Sequence, residues 1–507
     1  MSAETAADIR PGDGLQEQVE QFRALRAQLE RMILPLAHSL DGRRFEWQAP
    51  RHEPSLNVGG YVVLRSPDGD SRLGQILDAR LVEEAAGELG VAPAGNGSTL
   101  RSTVSLRLVR GHGAVLHGAA GPFSDAALRA AAADEIADYR AQAGTRSAPL
   151  PIGSLMAAPE VPASIDARGF GRHTFLCGQS GSGKTYSLGV VLDRLLAATS
   201  LRIVILDPNS DFTALGRVRD GVPAEAAERH REVAAGIRVR SAGTGPGRLH
   251  VPFPALSDED RAALLRLDPI ADREEYAELL DLLGEQRPAS WDDLEGGDGG
   301  GDRRLAQRVK NLGLHKLGIW SRGDAGSILD DLERDDVRCL VVDLGSLPTR
   351  TEAALAAEAV LATLWRRREE RRPVLVVIDE AHNVCPAQAA DAVTARATEH
   401  VVQIAAEGRK FGLHLLLCTQ RPQKLPENAL TQCDNLVLMR LNARADLAFI
   451  EDAFSFVPPG LVGLASGFGL GEALVAGKIA PDPLLLRFGQ RVSEEGGGDV
   501  PATWAAP

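Results

Sequence analysis

Apolar residues recur at Leu15, Val19, Phe22, Leu29, Ile33, Leu36 and Leu40, near a heptad spacing that Arg26 interrupts. The pattern predicts a helix over 15–40 with one apolar face, to be packed on a neighbouring domain or paired with another chain as a coiled coil. Beyond Arg44 the period shortens. Runs at Arg44–Trp47, Gly60–Leu64, Leu73–Ile76 and Val104–Val109, separated by turn clusters such as SPDGDS, predict short strands forming a small β-barrel. Ser124 opens an Ala-rich stretch that reads as helix to about Gly144, followed by the Pro-containing connector SAPLPIGSLMAAPEVPAS.

The next pattern is different again. Continuous apolar runs at His173–Cys177, Leu201–Leu206, Cys339–Leu344, Val374–Ile378, Leu413–Cys418 and Leu436–Met439 alternate with helical segments. Such runs belong to parallel strands covered on both faces, so this part is α/β. From Ser257 to about Arg334 the chain reads instead as helices, with Ser257 and Asp260 spaced as a capping box. Inside that insertion, EGGDGGGD (295–302) is like a calcium-binding nonapeptide, but a single copy lacks the repetition that builds such a site, and a loop is expected. After Ser493 the tail is expected to be disordered.

Composition narrows the class. A chain of 507 residues holds two or three domains, and its net charge of −13 argues against a surface coated for gripping nucleic acid, leaving room only for a local basic channel. Cys177, Cys339, Cys385, Cys418 and Cys433 are scattered, without C-x-x-C or His-Cys metal spacing, as in reduced core residues of a cytoplasmic protein. MSAETAADIR lacks an apolar signal core, and no uncharged run is long enough to span a bilayer, so no membrane association is expected.

Candidate chemistry centres on GQSGSGKT, which fits G-x-x-x-x-G-K-[ST] on a strand-to-helix turn. Gly178, Gln179, Ser180, Gly181, Ser182, Gly183, Lys184 and Thr185, with Tyr186 after them, form the expected phosphate-binding set. The glycines let backbone N–H groups point inward around phosphate oxygens, and the following helix adds its positive end. Lys184 supplies a point charge to the β and γ phosphates, and Thr185 is an expected ligand of Mg²⁺. The predicted fold class is therefore a RecA-like P-loop ATPase core over 151–493 with a helical insertion at about 256–335. It is preceded by an N-terminal helix (1–43), a barrel (44–122) and a helix with linker (123–150), and followed by the tail (494–507).

VLVVIDEAH (374–382) supplies an acidic strand end: Asp379 to hold Mg²⁺, Glu380 to orient and deprotonate the attacking water. The chain has one phosphate loop, unlike helicases that carry two cores, and a lone core commonly borrows an arginine from a neighbouring subunit, which points to a ring. Arg409, Arg421 and Arg440 are the candidates. Arg409 is preferred because it precedes a strand, whereas Gln420 leaves that strand's far end and is expected to sense the γ-phosphate and position water. The basic run WRRREERR (365–372) is read as a helix end, where cations are favoured.

GRHTFLCGQSGSGKT, ILDPNSDF, VLVVIDEAHNV, EGRKFG and LLLCTQRPQKLPENALTQCDN, in this order, resemble the HerA branch of the HerA/FtsK ATPases. The resemblance implies a homo-hexamer with ATP and Mg²⁺ between subunits, DNA through the central pore, and a nuclease or other effector docked on the barrel face. By matching positions it adds Arg172 and Asp207 to the nucleotide-binding residues. The leading function is an ATP-driven DNA translocase or helicase in DNA repair or antiphage defence. The alternative is an ATPase scaffold ring that assembles a partner effector without processive movement; a packaging or conjugative pump is disfavoured by the missing membrane segment, and GTP use by the missing Asn-Lys-x-Asp motif.

Overall fold

Alternation builds the first unit. The computed structural model describes residues 32–50, 55–91, 100–144, 148–245, 247–284, 303–320 and 326–497, with scattered positions from 20 to 29. Strands β1 (Leu36–Ser39), β2 (Arg44–Pro50), β3 (Tyr61–Arg65), β4 (Ser71–Ile76), β5 (Arg80–Val91), β6 (Leu100–Gly118) and β7 (Phe123–Ala130) form one antiparallel sheet. Its order β2-β1-β7-β3-β4-β6 closes by a β2–β6 pairing, so six strands make a barrel and β5 extends β6 outside it. In β2 the side chains of Phe45 and Trp47 alternate inward to join Val62, Leu64, Ile76 and Leu128 in the core. Closure leaves the six barrel strands without a free edge.

Two expectations fail here. Leu36–Ser39, assigned to the N-terminal helix, is a strand, and most of 15–31 lies outside the described residues. Phe123–Ala130 is also a strand, with the helix starting only at Ala133 and ending at Gly144. Alanine content suggested helix, but Ala126 and Leu128 pair between β1 and β3 with their side chains in the core, and tertiary pairing overrides propensity.

The chain forms two compact units, Met1–Gln142 with Pro458–Leu461, and Ala143–Val457 with Val462–Pro507. The second unit carries β8 (Pro149–Leu155), β9 (Pro162–Asp166), β10 (His173–Cys177), β11 (Arg202–Asp207), β12 (Ile237–Arg240), β13 (Cys339–Asp343), β14 (Val374–Ile378), β15 (Leu413–Thr419), β16 (Cys433–Met439), β17 (Glu472–Gly477) and β18 (Leu484–Phe488). Their order is β12-β13-β11-β14-β15-β10-β16-β17-β18-β8-β9, parallel from β12 to β16 and antiparallel from β17 to β9. The buried strands β10, β13 and β14 are apolar almost throughout, as sheets covered on both faces require. The expected connector after Gly144 is in part β8, whose prolines Pro149 and Pro151 lie in a strand next to the sheet's last one.

Helices Asp258–Leu264, Arg273–Gly284, Arg303–Leu312 and Ile328–Glu333 lie between β12 and β13, and Ser257 with Asp260 makes a reciprocal capping box. The run 295–302 lies outside the described residues. The run 365–372 does lie at a helix end, that of Arg350–Arg366, and its arginines are locally engaged: Arg367 with Glu370, Arg368 on the Trp365 ring, Arg372 with Asp335. The first residues after Ser493 are ordered by contact rather than free. Glu494 N–H donates to the Arg217 carbonyl at 2.9 Å and Gly496 N–H to the Asp211 carbonyl at 2.9 Å. All five cysteines are buried and unpaired, and no described helix is long and apolar enough to cross a membrane.

Candidate nucleotide site

The loop after β10 turns at two left-handed glycines, Gly181 (φ 72°) and Gly183 (φ 89°), a conformation that a Cβ disfavours. Gly183 caps the helix Lys184–Ala198 without any side-chain hydrogen bond, so the first N–H groups of that helix stay open toward an anion. Neighbouring segments hold the loop in shape. Gln179 N–H donates to the Arg440 carbonyl (2.8 Å), Arg440 Nη2 donates to the Gly181 carbonyl (2.8 Å), and Gly471 N–H donates to the Ser182 carbonyl (3.0 Å).

Strand order then decides what faces the loop. β15 lies between β10 and β14, so the carboxyl end of β15 sits between the phosphate loop and the acidic pair that follows Ile378. Lys184, only 6% exposed, reaches across to Glu380 Oε1 at 2.8 Å and Asp379 Oδ1 at 3.5 Å. Burial works against the Lys184 charge, and the anions around it more than offset that cost. Glu380 is held at φ 38°, a sparsely populated conformation for a residue with a side chain, of the kind that gathers at functional sites.

A second acidic group adjoins this pair. Carboxylate oxygens of Asp207, Asp211 and Asp379 all lie within 4.8 Å of one another. Asp207, fully buried at the end of β11, accepts N–H bonds from Asn209 (3.3 Å), Asp211 (3.1 Å) and Phe212 (2.8 Å). Burial pushes its carboxyl up to about 7 against those bonds; burial, with the nearby Asp379 charge, pushes Asp211 up to about 6. Among the described residues, Asp379 Oδ2 is buried without a hydrogen-bond partner, and so is the Ser182 hydroxyl. An oxygen-only donor set with an orphaned buried carboxylate oxygen fits a hard divalent cation such as Mg²⁺.

Not all expected residues converge. Gly178 to Thr185, Asp207, Asp379 and Glu380 gather at the carboxyl ends of β10, β11 and β14, with Gln420 following Thr419 at the end of β15 and Tyr186 one residue into the helix after Thr185. Tyr186 is engaged with the segment after the last strand: its hydroxyl accepts the Arg491 N–H at 2.9 Å. Arg172 and Arg409 sit at the amino ends of β10 and β15, both beside Asp434 Oδ2, at 3.6 and 2.8 Å. A five-residue strand separates Arg172 from the loop, roughly 16 Å, and the longer β15 separates Arg409 from the same end of the sheet, so within one chain neither arginine stands beside the loop. Arg440, weighed as an arginine lent to a neighbour, instead braces its own loop. Asp211 and His382 were not singled out from the sequence, although both stand in quoted motifs. Asp211 is four residues beyond Asp207 in ILDPNSDF, and His382 ends the acidic box, where its Nδ1 lies 3.0 Å from the Thr419 hydroxyl.

Residues 150–296 match the family model described as "Helicase HerA, central domain", a span that includes the phosphate loop and the Asp207–Asp211 turn. Over this span the chain is similar to HerA. Among its relatives, the DNA double-strand break repair helicase HerA of Saccharolobus solfataricus is 25% identical over 389 residues, covering 72% of this chain and 73% of that protein. The one from Sulfurisphaera tokodaii is 29% identical over 184 residues, 34% of this chain and 36% of that protein. The chain spans between 25% and 36% of the length of the first curated relatives it matches. Among solved structures, VirB4 of Thermoanaerobacter pseudethanolicus aligns with TM-score 0.44 at 16% identity, over 67% of this chain and 96% of that one.

Proposed function

We propose that this HerA-like chain is a Mg²⁺-dependent ATPase that works as a homo-hexameric ring and moves DNA through its pore. The observation that carries the reading is the buried Lys184–Glu380–Asp379 contact facing an uncapped helix N-terminus across β15. In the presence of ATP, the loop N–H groups and Lys184 bind the β and γ phosphates, with Lys184 exchanging its carboxylate partners for phosphate oxygens. Thr185, Asp379 and the Asp207–Asp211 pair would hold Mg²⁺, which when bound neutralises charge building on the phosphates. Glu380, freed of Lys184, takes the proton of a water whose oxygen attacks the γ-phosphorus, while the bond to ADP breaks and the leaving oxygen is stabilised by Lys184. Gln420 orients that water. Since Arg172 and Arg409 are a strand's length from their own phosphates, the reading assigns them to a neighbour's site.

DNA handling, a cytoplasmic setting, a nuclease or effector on the barrel, and a role in repair or antiphage defence extend this proposal along the HerA likeness. Duplex DNA should stimulate ATP turnover and the ring should displace a bound roadblock, with both lost in Glu380→Gln while ATP binding persists. ATP turnover indifferent to DNA, with partner binding intact, would instead indicate the scaffold reading.

A further inference from the structure

Hydrolysis as described leaves His382 without a task, yet its side chain is only 11% exposed and sits between the ends of two strands. Nδ1 is 3.0 Å from the Thr419 hydroxyl and 3.3 Å from Glu380 Oε2. Lys184 occupies Glu380 Oε1, and Oε2 has no hydrogen bond of its own within the described residues. Leaving such an oxygen buried and unmatched is costly, so the nearest donor matters. Thr419 is fully buried at the end of β15, and its hydroxyl already accepts the Arg421 N–H at 3.0 Å. Gln420 is the residue between them.

The ring's proton placement follows from its neighbours. Burial holds His382 below its usual range; Glu380 opposes that, and Arg421, Lys424 and Lys184 add to it, which leaves a neutral imidazole with one N–H. A carboxylate can only accept, and the Thr419 oxygen has a lone pair to spare. The tautomer with its proton on Nδ1 therefore suits both oxygens, while the other sets a lone pair against Glu380.

Resting on the ATPase reading above, we propose that His382 is a positioning residue that holds the Glu380 carboxylate in register with the Thr419–Arg421 turn, so that rearrangement at Gln420 reaches the general base through one imidazole. Movement of the β15 end on engaging a γ-phosphate would thus re-aim the base. Hydrolysis becomes conditional on the turn being in place.

Asparagine can put its amide nitrogen where Nδ1 stands, whereas glutamine mimics Nε2. In DNA-stimulated ATP turnover by the full chain, His382→Gln and His382→Ala should lose about tenfold or more in kcat at unchanged KM, with His382→Asn restoring most of it. Thr419→Val should show a similar loss, and the His382→Gln, Thr419→Val double variant should be no worse than the poorer single, because both break one connection. Asparagine as poor as alanine, or losses that multiply in the double variant, would overturn the proposal, and the asparagine comparison decides even where alanine fails to fold. A wild-type chain with no turnover sensitive to Glu380→Gln overturns the ATPase reading and this one together. Sensitive wild-type turnover alongside an unimpaired His382→Gln overturns only this one.

Discussion

At the scale of single residues, the acidic group beside Lys184 makes cation binding pH-dependent with a definite sign. Asp207 and Asp211 hold their protons up to about 7 and about 6 because burial disfavours the charged carboxylates. A cation must displace those protons. Its affinity should therefore rise as pH increases from 5.5 and level off above about 7. Calorimetric titration of Mn²⁺ or Mg²⁺ at pH 5.5, 6.5 and 8 checks this, and Asp211→Asn should flatten the lower part of the rise. Equal affinity at all three values would mean these side chains do not hold the ion.

At the scale of elements, the segment after β18 straps down the helix that starts at Lys184. Arg491 is fully buried; its guanidinium lies 5.4 Å from the Phe212 ring centroid, and its Nε donates to the Ser493 hydroxyl at 3.0 Å. Asp193 Oδ2, on that helix, accepts the N–H groups of Val492 (2.7 Å) and Ser493 (3.0 Å). Gly189 makes room for this arrangement, since a Cβ there would stand 2.3 Å from Arg491 Nε. In an ordinary helix interior, Gly to Ala stabilises by about 1 kcal/mol. Here Gly189→Ala should reverse the sign and destabilise by about 1–3 kcal/mol through overpacking. Thermal unfolding of Gly189→Ala beside Gly189→Ala, Arg491→Ala reads it: the second substitution should recover stability relative to a simple sum of the two losses. Because the strap also ties Gly496 to Asp211, its loosening should weaken cation binding as well.

At the scale of the whole molecule, the sheet sets the proposed catalytic groups at one end and the Arg172–Asp434–Arg409 contact at the other. One chain cannot bring the two ends together without breaking the sheet. If the arginines act, they act on a second copy, and Asp434 is the partner they exchange for phosphate. Mixing Lys184→Ala protein with Arg409→Ala protein should then restore part of the turnover that each lacks alone, through junctions that combine an intact Lys184 with an intact Arg409. No recovery on mixing, with both variants forming mixed assemblies by mass photometry, would place the arginine's work elsewhere.

How far the sequence reaches can be judged residue by residue. GQSGSGKT and VLVVIDEAH disclosed the phosphate loop and acidic strand because their chemistry is local: glycines with φ above zero, a helix N-terminus, an apolar strand ending in carboxylates. Barrel alternation was legible for the same reason, as at Phe45 and Trp47. What alanine content misread at Phe123–Ala130, and heptad spacing at Leu36–Ser39, were short segments whose conformation is imposed by neighbours in the barrel. Strand order was beyond it altogether. Only the tertiary structure inserts β15 between β10 and β14, brings His382 to Thr419, sets Asp211 beside Asp379, and turns Arg440 onto its own loop. Local backbone preference and hydrophobic period are written in consecutive residues, whereas these contacts join segments far apart in sequence, and which segments meet depends on packing the whole sheet at once.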